Sequence, residues 1–267
     1  MKFTNLRAWF GLFNLIFWVG LACVGLFNEW PSSAFPAEPV SLLVEVQWWA
    51  LIVIAYVLIM LPLDLLGGYV IPKLAQNSQR NFSQFWSRLL RGILVHAGIL
   101  LISGLLIMEI GKLYGTWGVM GLLTCMSLIM LLLQAPLARW LVGYKLHSED
   151  RENLRNRIGE LLSRRTDVVR EENPVFTGGI TGLPWIEKTI IPSRWLEMSE
   201  DQLRAQILRR MGAVRTHSRH RGVLVAIIWN LYGFWSASLF AGAGVETVRG
   251  LFMTSMAFVI WMCFGQI

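Results

Sequence analysis

Few residues in this chain combine the type and the spacing that chemistry needs. The nearest to a metal pair is His217 and His220, three apart, since neutral imidazoles ligate borderline divalent ions. The sequence offers them no evident third ligand, and the run Arg215 to Arg221 also reads as a basic stretch anchoring a following span at the lipid headgroups. His147-Ser148-Glu149-Asp150 reads better as a helix start than as ligands. Cys23, Cys125 and Cys263 all fall inside apolar runs, without metal-type spacing and too few for a disulfide frame. They read as small hydrophobes, and no metal or other cofactor is expected. Asp64, His96 and Glu109 lie in or at the ends of apolar runs, where an ionisable group is costly and therefore a functional candidate. Asp64 and Glu109 are close enough to run ends to reach an interface, and His96 is about one turn from Arg91.

The elements that must position these groups are mostly membrane-type helices. The chain has 267 residues, 55% of them hydrophobic and only 15% charged, with a mean hydropathy of +0.51. That is more apolar than a soluble domain of this size. The apolar residues gather into runs of eighteen or more, and a bilayer core about 30 Å thick takes about 20 helical residues to cross. Inside hydrocarbon the backbone must satisfy its own hydrogen bonds, so each run is expected to be helical. The spacing predicts six spans, at about 8–27, 43–63, 91–110, 116–137, 222–243 and 249–266. The first is longer than a signal-peptide core and lacks a good processing site after it, so it reads as an uncleaved span.

The basic residues alternate with these spans. Lys2 and Arg7 precede the first; the loop after it holds Pro31, Pro36 and Pro39 but no Lys or Arg. Lys73, Arg80, Arg88 and Arg91 follow the second span, only Lys112 the third and only Arg249 the fifth. The segment 138–221 carries sixteen of the twenty-four basic residues. By the positive-inside rule both termini and this segment are expected on the cytoplasmic side. The net charge of +7 is then mainly a topology signal. A nucleic-acid partner is not expected, because no stacking aromatics interleave with the charges. The bilayer is the expected partner, anionic headgroups included.

The segment 138–221 has a pattern of its own. Ser148-Glu149-Asp150 opens a helix that Arg164-Arg165 closes, matching charge to the macrodipole at both ends. Strand-like runs follow at Asp167–Val169, Pro174–Thr177 and Thr189–Ile191, with Gly178–Pro184 as a turn-prone link. Ser199 and Gln202 form a capping box that starts a helix with Leu203, Ile207, Leu208, Met211 and Val214 inward. Residues 1–137 are therefore expected as a four-span membrane domain, 138–221 as a small α+β unit and 222–267 as a two-span region.

The run Glu187-Lys188-Thr189-Ile190-Ile191-Pro192, leading into Arg194-Trp195-Leu196-Glu197-Met198-Ser199-Glu200-Asp201-Gln202-Leu203-Arg204-Ala205-Gln206-Ile207-Leu208, resembles the membrane-embedded zinc metalloproteases of the M48 group. That group includes the CAAX prenyl protease and the bacterial heat-shock membrane protease; four spans ahead of the domain are similar to the CAAX type. The resemblance implies a mainly α, polytopic protein with an M48-like unit inserted between spans 4 and 5, and a chain continuing past Ile267. It also implies a bacterial inner membrane. In register, the five positions of the family's His-Glu-x-x-His are Arg209-Arg210-Met211-Gly212-Ala213.

That departure removes the chemistry. Zinc takes neutral imidazole or anionic ligands; Arg209 is a permanent cation and Ala213 has no lone pair. Arg210 stays protonated and cannot activate a water. The expected function is thus non-catalytic: a pseudoprotease with a binding or regulatory role, whose partners are other membrane proteins or an anionic ligand held by Arg209 and Arg210. Alternatively these two arginines are simply the solvent face of their helix. Two other classes stay open, a small transporter or channel-like protein, and a zinc metalloendopeptidase by family assignment only.

Overall fold

A computed structural model describes residues 3–76, 81–142, 145–146, 166–170, 177–183 and 187–264. The chain is mainly helical and divides into two compact units, one of Met1–Leu123 with Trp229–Ile267 and one of Thr124–Ile228. The helices are α1 (Phe3–Phe27), α2 (Leu42–Leu65), α3 (Ile71–Gln76), α4 (Phe82–Val142), α5 (Glu200–Arg215), α6 (Ser218–Ala241) and α7 (Val248–Phe264). Among the described residues, four helical stretches are long and apolar enough to cross a membrane, and α7 is a shorter apolar helix of 17 residues.

The predicted third and fourth spans both fall within α4, a run of 61 residues. Straight, it would be about 90 Å long, three times the thickness of a bilayer core. It is not straight. Gly115 leaves the helical region at φ 61°, ψ −162°, a conformation open to glycine alone among residues without strain. Just beyond it, a Cβ on Gly118 would stand 3.1 Å from Ile110 Cγ2. Residues eight apart on one straight helix are separated by about 12 Å, so the chain turns sharply at Gly115. The predicted break at 111–115 is this turn.

In the first unit, the core gathers Trp49 and Val53 from α2, Ile107, Met108 and Val119 from α4, Phe234 from α6, and Val245, Val248 and Leu251 around the start of α7. The Trp49 indole donates to the Leu100 carbonyl (3.0 Å), which fixes α2 on α4. Gly104 makes room for the ring, since a Cβ there would overlap it. The outward faces stay apolar: Leu94 is 70% and Trp117 80% exposed. Such surface is compatible with a hydrocarbon surrounding and is uncommon on a water-soluble monomer.

Three connections of this unit meet one another. Arg249, just before the last apolar run, binds Glu29 at 2.7 Å, and its backbone N–H donates to the Pro36 carbonyl. Gly111 lies against Val245 and Glu246, and Lys112 reaches Glu45 at the start of α2. The links after the first, third and fifth apolar helical stretches are therefore neighbours.

The second unit contains a four-stranded sheet of order β1-β2-β4-β3, from β1 (Lys145–Leu146), β2 (Thr166–Arg170), β3 (Gly179–Thr181) and β4 (Lys188–Pro192). β2 pairs in parallel with β4; β1 with β2 and β3 with β4 are antiparallel. The strands expected at 167–169 and 189–191 are present. The third lies in the stretch expected as a turn, at Gly179–Thr181. Gly178 explains it: at φ 71° it brings the chain so close to β4 that a Cβ would overlap the Ile190 carbonyl. Thr177 is not in a strand, and residues 174–176, with the helix expected at 148–165, lie outside the described residues.

Candidate functional site

The helix that carries the expected motif is α5. Ser199 caps it, with its Oγ accepting from the Gln202 N–H (3.4 Å), and Glu200 and Asp201 fill the first turn. Negative side chains there complement the helix dipole. Leu203 and Ile207 are buried together with Val168, Ile191 and Trp195, and Met211 packs on the rim of that cluster. Leu208, expected inward, is instead 40% exposed. Successive helical residues are about 100° apart, so Leu208 falls past the edge of the stripe set by 203, 207 and 211.

The two arginines of the motif positions part company. Arg209 is exposed. Arg210 is half-buried: its guanidinium carbon stands 4.3 Å from the Trp195 ring centroid, a cation–π distance. It donates to the carbonyls of Thr177 and, at 3.4 Å, Gln206. Burial pulls its pKa down and the neighbouring Arg209 charge adds to that, yet an arginine keeps its proton at any physiological pH. Arg210 thus ties α5 to the strand side of the unit. Ala213 is partly buried, and its methyl side chain has no polar atom to offer.

At the junction of α5 and α6 the chain turns through His217, a non-glycine residue at φ 56°. The turn is held from both sides, since Thr216 Oγ1 donates to the Gly212 carbonyl (2.7 Å) and Ser218 Oγ to that of Ala213 (3.1 Å). The His217 Nδ1 faces His220 Nδ1 at 2.9 Å. His220 Nε2 meets the Glu187 carboxylate, which also has the Arg219 guanidinium at 3.5 Å. Arg219 donates in addition to the Gly182 carbonyl. Sequence spacing pointed to the two histidines; Glu187, thirty-three residues before His220, carried no signal that linked it to them.

The apolar helices of the first unit hold two further polar groupings. Lys112 bridges Glu45 (2.7 Å) and Glu109 (2.8 Å); Glu45 is 1% exposed and its Oε1 has no partner among the described residues. The Tyr56 hydroxyl and His96 Nε2 are 3.2 Å apart, and Asp64 lies about two turns beyond Tyr56 on α2. Lys112 and Arg249, the two basic residues in otherwise uncharged or acidic links, are both paired with carboxylates. Among the described residues no three His, Cys, Asp or Glu side chains converge as a metal group would.

No family model matches the chain, and no curated protein matches it.

Proposed function

We propose that this is an integral membrane protein of six spans whose water-facing α+β segment works by recognition and does no zinc-dependent proteolysis. It resembles an M48 metalloprotease in the order of its parts, with Arg-Arg-Met-Gly-Ala in place of His-Glu-x-x-His. Its setting is a membrane such as the bacterial inner membrane, with both termini and 138–221 on the cytoplasmic side. The observation that carries the reading is Arg210. The residue standing where a catalytic glutamate would be is a cation committed to Trp195 and to the Thr177 carbonyl, while Arg209 and Ala213 offer no metal ligand. Exposed Arg209 is left for an anionic partner or a carboxylate-bearing membrane protein. The six-span topology is supported by the meeting of the links at 28–41, 111–115 and 242–247. One basic residue in each of two links weighs little against the four between the second and third spans and the sixteen in 138–221.

The test is proteolysis by the purified full chain in detergent, offered an unstructured fluorescent protein substrate with added zinc and then with chelator. No cleavage above buffer is expected in either case. Chelator-sensitive cleavage abolished by a substitution within 209–213 would contradict the reading. The Tyr56–His96 contact inside the apolar helices favours a second reading, a small proton- or ion-coupled carrier. Dissipation of a proton gradient by liposomes containing the protein, lost in Tyr56→Phe and His96→Ala, would support that carrier.

A further inference from the structure

We draw no further inference here: the strongest candidate, the side-chain cluster at the start of α2 in which buried Glu45 shares Lys112 with Glu109, is an acidic pair closed by its own lysine, and nothing among the described residues joins its one bare oxygen, Glu45 Oε1, to show what it would hold.

Discussion

Arg210 shows how one side chain closes a question that its residue type leaves open. From the sequence, Arg209 and Arg210 were equivalent: two cations at motif positions, either gathered in a cleft or both facing water. Packing separates them, because position 210 falls beside the buried stripe of α5 where Trp195 offers a ring face, and position 209 does not. Arg210→Ala is expected to cost about 1–2 kcal/mol in thermal stability, the worth of a desolvated cation–π contact plus a charged hydrogen bond. Arg209→Ala is expected to stay within about 0.5 kcal/mol, as exposed positions do. Equal effects in a melting experiment would remove the distinction. Glu45 and Lys112 give a second residue-level test. Lys112→Met leaves the buried Glu45 carboxylate without its cation and is expected to destabilise by about 3 kcal/mol. The Glu45→Gln, Lys112→Met double variant is expected to recover part of that, which a thermal-inactivation series in detergent can measure as a double-mutant cycle.

At the scale of elements, most of the helices were legible because a run of apolar residues long enough to cross a bilayer has few other uses. The six runs found by length map onto α1, α2, the two arms of α4 on either side of Gly115, α6 and α7. The capping box at Ser199 and the strands at 167–169 and 189–191 were legible for local reasons. What escaped depended on contacts between distant segments. β3 arises in a stretch of turn-type residues because Gly178 lets the chain approach the Ile190 carbonyl, a fact of neighbours that periodicity does not carry. Leu208 was placed inward by spacing that admits two adjacent positions, and only the width of the buried stripe decides between them. The Glu187–His220 contact joins a strand approach to a helix start and has no local signature. Close packing of α2 on α4 makes its own prediction. Gly104→Ala is expected to lower the inactivation temperature by forcing the Trp49 indole and its Leu100 bond apart. Gly98→Ala, with nothing within 4 Å of the new methyl, is expected to be neutral or to stabilise by up to about 1 kcal/mol.

At the scale of the whole molecule, charge and contact carry the same message by independent routes. Basic residues avoid the links after the first, third and fifth apolar stretches, and those links touch one another in the structure. The two exceptions, Lys112 and Arg249, are neutralised where they stand. The proposed topology puts the basic segment 138–221 on the cytoplasmic side. The direct measurement is labelling by a membrane-impermeant maleimide in sealed vesicles of either orientation. The probes are the Ala37→Cys and Arg204→Cys proteins, each in a background with Cys23, Cys125 and Cys263 replaced by serine. The account predicts that position 204 is labelled only from the cytoplasmic face and position 37 only from the other; labelling of both from one face would contradict it.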